Sequence, residues 1–356
     1  MARRPTATSA FGVSKRENHD ASAFYPRFTP PDVSGDNHVS ADPRLDKLIV
    51  GDARRMDEVP DSSVALVVTS PPYFAGKEYE QTLGAGTTPA SYLDYLAMLR
   101  DVFAECVRAL EPGGRIAVNV ANLGRRPYRS LSADVIAILQ DDLRLLLRGE
   151  IVWVKQRGAA GSCAWGSFQR ATNPVLRDLT ERVVVAAKGR FDRAVPAAER
   201  ARRGLPAAST MTRDDFMEGT LDLWEIPAES ARRVGHPAPF PVELPARLIE
   251  LYTYRGDLVL DPFAGAGTTA VAAVRTGRHY AGYDLDESYI RLAEARVAEE
   301  RRRVAEEPAP VRPAGPLAEV ARAVLAAAGL GDVRPGPRLP GGVQVALAAT
   351  DRLGRP

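Results

Sequence analysis

The stretch "DLVLDPFAGAGTTAVAAVRTG" (Asp257–Gly277) decides the fold. A short apolar run meets Asp261-Pro262 and a glycine turn, and an Ala/Val-rich run then stops at Gly277. That pattern reads as strand, turn, helix and glycine stop. Gly265-x-Gly267-x-x-Ala270 matches the dinucleotide-binding fingerprint, and the next strand, "HYAGYD", ends in Asp284 about 20 residues on. The glycines let a ligand approach the backbone. Asp284 can accept hydrogen bonds from both hydroxyls of a ribose. By itself the fingerprint leaves NAD, FAD and S-adenosylmethionine open, as well as a turn needed only for packing. Thr268 and Thr269 can equally cap the helix.

Downstream the chain offers only a charged helix, Glu287 to about Arg303, and a Pro/Ala-rich tail from Glu307. A nucleotide-binding sheet needs more strands than this, so the rest lie upstream. "KLIVGDARRM" reads as a short buried strand, and "VALVVTSPPY", "RIAVNVAN", "EIVWVKQ" and "ERVVVAAKG" as others. Helices are predicted from Thr88-Pro89 to Glu111-Pro112-Gly113-Gly114, from about Ser132 to Leu146, and after Pro241. Residues 190–235 read as irregular. The expectation is an α/β fold, with one mostly parallel sheet covered by helices on both faces. The tail predicts a helix over "LAEVARAVLAAAGL", then a strand in "GGVQVALAATDRLGRP" with no partner strand in view.

The second informative stretch is "VVTSPPYFAG" (Val67–Gly76). Prolines cannot continue a sheet ladder, because each lacks an N–H and fixes φ. The chain therefore leaves the sheet where a hydroxyl, a rigid backbone and a flat ring come together.

"TSPPY" and "DPFAGAGTT", in this order, with "HPAPFPVELPARLIELYT" before the latter, resemble the β-class amino-methylating DNA methyltransferases. In that class the catalytic motif precedes the cofactor motif. The resemblance covers roughly residues 45–300. It implies a circularly permuted, Rossmann-like S-adenosylmethionine-dependent methyltransferase fold with a seven-stranded sheet. It implies catalytic positions at Ser70, Pro71, Pro72 and Tyr73. Cofactor positions would be Asp52, His236, Phe240, Asp261, Phe263, Gly265, Gly267, Thr268, Thr269 and Asp284. The substrate would be double-stranded DNA; the enzyme would either stand alone or belong to a restriction–modification system, whose cognate endonuclease would be encoded separately. A flexible arm (1–40) precedes a catalytic half (41–155), a target-recognition region (156–235), a cofactor half (236–304) and an extension (305–356).

The chemistry fits these residue types. The lone pair of an exocyclic amine is delocalised into the ring, so acceptors must orient it. Ser70 Oγ and the Pro71 carbonyl can take its hydrogens, and Tyr73 can stack on the base, worth ~1–3 kcal/mol. A paired base must first be flipped out, at a cost of roughly a few kcal/mol. Methylation of ring carbon 5 of cytosine needs a thiolate instead. Cys106 sits mid-helix, and Cys163 lies in a glycine-rich loop without a neighbouring proline, so the target is an amine. In the family, serine at the Ser70 position goes mostly with cytosine N4; adenine N6 stays open.

The chain has 356 residues and a formal net charge of +2, so global charge announces no nucleic acid. From Lys155 to Arg203, however, eleven basic residues stand against four acidic ones, an excess that suits phosphate contact. It would equally suit a solvated face. Lys155, Arg157, Trp165, Arg170 and Arg177 are the expected DNA contacts, although packing explains Trp165 as well. Two cysteines make neither a disulfide framework nor a metal site. No apolar run approaches the ~20 residues of a membrane span. The N-terminal residues lack the apolar core of a secretory signal, and the cytoplasm is the expected compartment. A nicotinamide oxidoreductase would use Gly265, Gly267 and Asp284 but leave Ser70–Tyr73 unexplained. A non-catalytic DNA-binding module would leave both motifs idle.

Overall fold

Val64–Thr69 is an uninterrupted run of buried residues and forms β2; Leu258–Asp261, equally buried, forms β7. Strands apolar on both faces belong in the middle of a sheet covered on both sides. β2 and β7 are parallel neighbours there, with Val67 opposite Leu260. The structure is a computed structural model. It describes residues 32–40, 45–73, 89, 91–122, 128–155, 167–176, 178–229, 240–306, 331–334 and 348–350.

Around this pair the sheet has eight strands in the order β1-β8-β7-β2-β3-β5-β4-β6. The others are β1 (Lys47–Val50), β3 (Leu110–Val120), β4 (Leu146–Val154), β5 (Thr180–Ala187), β6 (Leu223–Glu225) and β8 (His279–Asp284). Only β5 runs against the rest. Seven strands were expected. The eighth, β6, lies in the stretch read as irregular and pairs Trp224 with Trp153. β1 is an edge strand, with Val50 exposed, rather than a buried one.

From Leu66 onward successive residues of β2 point to opposite faces, and an irregularity between Val64 and Leu66 turns Val64 to the side of Val67. Val64 and Val67 join one core with α1 (Tyr92–Ala109) and α2 (Leu131–Ala137). Leu66 and Val68 join the other with α5 (Glu243–Tyr252), α6 (Thr268–Thr276) and α7 (Glu287–Glu306). The helix after β2 thus covers one face and the helix after β7 the other. Between two such strands lies the topological switch point where α/β sheets open a ligand crevice.

Several boundaries differ from expectation. α1 is capped by Ser91, whose Oγ accepts from the Asp94 amide; Thr88 lies outside the described residues. Glu111-Pro112-Gly113-Gly114 ends the helix but belongs to β3, next to a shift in the β2–β3 register. Gly113 has φ 79°, and a Cβ there would stand 1.9 Å from the Asp192 carbonyl oxygen. α2 stops early, passes into a π-helical turn (Ile138–Asp142), and yields to β4 after Arg144 at φ 60°. Residues 190–235 contain α3 (Ala197–Arg202) and α4 (Arg213–Gly219), the latter with a Thr212/Asp215 capping box. Residues 32–40 have no regular structure, yet Asp32, Ser34 and Ser40 donate backbone hydrogen bonds to Arg144, Gly189 and Ser62.

Residues 305–356 form a separate compact unit. There β9 (Gly331–Arg334) pairs antiparallel with β10 (Ala348–Thr350), the partner that the sequence did not reveal. The helix expected over 317–330 lies outside the described residues.

Two arginines of the basic stretch, Arg193 and Arg200, spend their charge inside the fold. Arg200, 1% exposed, pairs with Glu111 at 3.2 Å and Asp257 at 2.8 Å. Arg193 pairs with the same two carboxylates. This neutral quartet joins the start of β3, the 190–203 excursion and the turn before β7. Removing one member strands an uncompensated charge, which costs about 3–5 kcal/mol. Arg200→Ala should therefore lower the unfolding free energy by an amount in that range, read in urea as a lower midpoint with the m-value unchanged.

Candidate active site

The carboxyl ends of β1, β8, β7, β2 and β3 line up on one edge of the sheet, because these strands are parallel and in register. The chemistry-bearing residues stand along that edge.

Asp261 ends β7 and is buried. Its Oδ1 accepts from Thr69 Oγ1 at 2.6 Å and from the Phe263 amide at 3.1 Å. Its Oδ2 accepts from Thr269 Oγ1 at 2.8 Å. One carboxylate thus binds the strand carrying Ser70 to the turn carrying Gly265. Burial pushes the Asp261 carboxyl up to about 6, against the three donors that favour its charge.

The glycine turn follows. Gly265 and Gly267 have φ of 48° and 73°, a region costly for residues with a Cβ. At Gly267 a Cβ would also lie 2.6 Å from the Ala293 Cβ, so this glycine seats α6 against α7. The N-cap of α6 is Gly267 itself, with no side-chain cap. The threonines therefore do not cap: Thr269 holds Asp261, and Thr268 is buried near Arg296 Nη1.

Asp284 ends β8, and its Oδ2 accepts from the Gly265 amide at 2.8 Å. Burial raises its pKa, against backbone donors that include Asp286 and Gly265. Asp52 follows β1 on the adjacent strand end, and the Arg54 guanidinium holds its carboxyl below the usual range. Two half-buried acids on neighbouring strand ends, beside a left-handed glycine turn, suit a ribose diol and a base amine. Phe263 is half-buried on the first core, and Phe240 packs on the second. His236 lies outside the described residues.

On the other side of the switch point, Ser70 Oγ and Tyr73 Oη are 2.8 Å apart. Tyr73 is only 8% exposed, and its ring packs into the core beneath α1. Expected as a stacking platform, it is instead buried by its ring and bonded through its hydroxyl. Tyr95 Oη donates to the Pro72 carbonyl at 2.6 Å and fixes the proline exit.

Three residues join this group that the sequence reading left out or placed elsewhere. Tyr73 Oη donates to Glu181 Oε2 at 3.0 Å. Asn119 Nδ2 lies 2.6 Å from the same oxygen and 3.1 Å from Tyr73 Oη. Lys155 Nζ pairs with Glu181 Oε1 at 3.0 Å. Lys155, expected at a DNA phosphate, thus pairs with the carboxylate to which Tyr73 donates. Asn119 and Glu181 were legible only as polar residues within apolar strand runs, "RIAVNVAN" and "ERVVV". Asn119 Oδ1 is buried with no donor among the described residues. Of the other expected DNA contacts, Arg170 is exposed, while Arg157, Trp165 and Arg177 lie outside the described residues. Cys106 is buried, and burial raises its thiol pKa strongly, which removes it as a nucleophile.

A switch-point crevice with a glycine turn on one flank and Ser-Pro-Pro-Tyr on the other defines an α/β methyltransferase. A DNA methylase family model, N6_N4_Mtase, matches residues 64–295. M.MjaI, a type II methyltransferase of Methanocaldococcus jannaschii, is 28% identical over 291 residues, covering 72% of this chain and 93% of the relative. M.BglI of Bacillus subtilis is 27% identical over 303 residues, 69% of this chain and 84% of the relative. TTHA0409, assigned as a DNA modification methylase of Thermus thermophilus and solved with S-adenosylmethionine, aligns at TM-score 0.54 with 30% identity, over 72% of this chain and 96% of that one. The PvuII methyltransferase shares the fold at TM-score 0.51 and 18% identity, over 78% of this chain and 96% of that one. The chain belongs to the N6/N4 DNA methylase family, and its cofactor is S-adenosylmethionine.

Asp261 gives a pH signature. A carboxyl raised from its ordinary value to about 6 binds more protons in the folded state than in the unfolded one between those values. Its stability contribution is complete below about pH 4 and lost as pH rises through about 6. Asp261→Asn cannot titrate. Urea midpoints should show wild type losing about 3 kcal/mol relative to the variant across that window.

Proposed function

We propose that this DNA methyltransferase acts on the N4 amine of a cytosine flipped out of double-stranded DNA. The observation that carries the reading is the Thr69–Asp261 bond, which sets Ser70 and the glycine turn side by side. The cofactor supplies an electrophilic methyl group on a sulfonium. This chain must bring an amine in line with it, and effective orientation is the main source of rate.

Ser70 is the hydroxyl that meets the amine. Tyr73 has one proton and gives it to Glu181. Ser70 is then the donor toward Tyr73 Oη, and its own lone pairs are left for an amine hydrogen. The Pro71 carbonyl and the buried Asn119 Oδ1 are the acceptors available for the second hydrogen. With Tyr73 Oη held between Ser70 and Glu181, the base is oriented through Ser70, and Tyr73 serves through its hydroxyl and not its face. Gly265, Asp284 and Asp52 hold the adenosine part, with Phe240, Phe263 and His236 beside the rest of the cofactor. A serine, rather than an acid or amide, at position 70 favours cytosine over adenine within the family.

The loop between β4 and β5, residues 156–179, together with the excursion between β5 and β6, is the proposed target-recognition region. Its usable charge is smaller than the count suggests, because Arg193 and Arg200 are buried in ion pairs and Arg202 and Arg203 face Glu199. Arg170, which is exposed, remains for phosphate contact, and the sequence adds Arg157 and Arg177 to it, with Trp165 to pack the segment or fill the gap that the flipped base leaves. The enzyme acts where the DNA is, in the cytoplasm, as the modifying half of a type II restriction–modification pair.

Nucleosides released from DNA treated with the enzyme and cofactor should carry the methyl mass increment on deoxycytidine, and mass spectrometry finding it on deoxyadenosine reverses the base assignment. Ser70→Ala should cut the single-turnover rate roughly 10²-fold with cofactor affinity unchanged in calorimetric titration. Arg170→Ala should weaken DNA binding across all sequences and lower the salt slope by about 1.

A further inference from the structure

We propose that Glu181 is the terminal acceptor of the proton that methyl transfer releases, reached through Ser70 and Tyr73. The inference rests on the assignment of Ser70 above and extends it to a strand outside both sequence motifs.

The need for such an acceptor follows from charge balance. As the amine nitrogen forms its bond to the methyl carbon, the carbon–sulfur bond breaks and its electron pair goes to sulfur. The nitrogen is left with one positive charge and must lose a proton. Ser70 is part-buried at the crevice, but the groups behind it are dry: Thr69 is fully buried, Asn119 is 2% exposed and Glu181 8%, so a proton passed inward from Ser70 meets side chains and not solvent. The proton therefore travels on side chains.

The geometry provides one polarised route. Ser70 Oγ, Tyr73 Oη and Glu181 Oε2 follow one another at 2.8 Å and 3.0 Å. Tyr73 points its proton at the carboxylate, so Ser70 points its own at Tyr73. Transfer of three protons, from amine to Ser70, from Ser70 to Tyr73 and from Tyr73 to Glu181, leaves both hydroxyls as they began. The product amine is neutral and the carboxyl is protonated. Asn119 Nδ2, 2.6 Å from Oε2, fixes the carboxylate that receives the proton. Lys155, at Oε1 and one-quarter exposed, marks the way to solvent for the return step. A purely structural carboxylate would need only the Lys155 pair. The second oxygen aimed at the phenol of the catalytic motif is the feature that a structural role leaves unexplained.

The test uses the full chain with cofactor and a duplex containing its target. Glu181→Gln keeps the shape and, with its carbonyl oxygen toward Tyr73 and Asn119, the acceptor on that side, but it gives up the Lys155 pair and accepts no proton. Expected is a single-turnover rate lower by roughly 10²-fold, with cofactor and DNA dissociation constants unchanged. A protonated-carboxyl band should appear in the infrared difference spectrum of wild type after turnover and be missing in the variant. The exchange Asn119→Asp with Glu181→Gln moves the carboxylate by one hydrogen bond while keeping the net charge. It should recover at least about tenfold of the lost rate, since position 119 already reaches Tyr73 Oη and lies 3.5 Å from Ser70 Oγ. A Glu181→Gln enzyme that turns over at the wild-type rate overturns the relay. So does a slowed one that the exchange fails to rescue while the carboxyl band persists. Ser70→Ala separates the two levels: unaffected turnover there removes the assignment of Ser70 itself, whereas a dead Ser70→Ala beside a fully active Glu181→Gln removes only the relay.

Discussion

The site depends on one buried carboxylate shared by two hydroxyls. Asp261 takes Thr69 on one oxygen and Thr269 on the other, residues that lie 192 and 8 positions away in the chain. A charge in a dry sheet centre is costly unless hydrogen-bonded, so the fold gains from keeping both hydroxyls in place. Thr269 also reaches back to the Val68 carbonyl. The two strand ends that frame the crevice therefore hold one another in register, and no loop connects them.

That constraint makes the permuted chain order physically unremarkable. A ligand crevice at a switch point needs two adjacent parallel strands whose following helices go to opposite faces. It does not need those strands to be consecutive. Here β2 sends α1 to one core and β7 sends α6 to the other. The acids of β8 and β1 extend the same edge beyond β7, and the polar ends of β3 and β5 extend it beyond β2. The glycine turn with its acids is thereby sorted to one side of the Asp261 tie, and Ser70 with its polar partners to the other.

What the sequence disclosed follows from how local each signal is. The β7–α6–β8 unit was legible because its strands are short apolar runs and its turn requires glycine at positive φ. The proline exit after β2 was legible because proline cannot stay in a ladder. Asn119 and Glu181 were not, since each reaches Tyr73 through sheet pairing, and register is a property of the folded chain. Position 119 pairs with Val183 and position 120 with Arg182 across antiparallel β3 and β5, which carries Glu181 to the same edge as Ser70. β6 stayed hidden for a related reason: three residues make no periodic pattern, and only the neighbouring β4 defines them as a strand.

Charge shows the same limit from the opposite direction. Counted along the chain, residues 155–203 look like a footprint for phosphate. Counted in space, Arg193 and Arg200 neutralise Glu111 and Asp257, Lys155 neutralises Glu181, and Arg202 and Arg203 face Glu199. Electrostatic attraction for a polyanion is set by charges that remain solvated and unpaired, so the run attracts less than its count: Glu111 and Asp257, from outside it, cancel two of its charges in the interior. It instead fastens the 190–203 excursion to the sheet and supplies a counter-ion to the carboxylate behind Tyr73. Basic residues from one stretch are thus divided between holding the sheet, serving the site and, in the loop around Arg170, meeting solvent. The division is decided by burial and not by sequence distance.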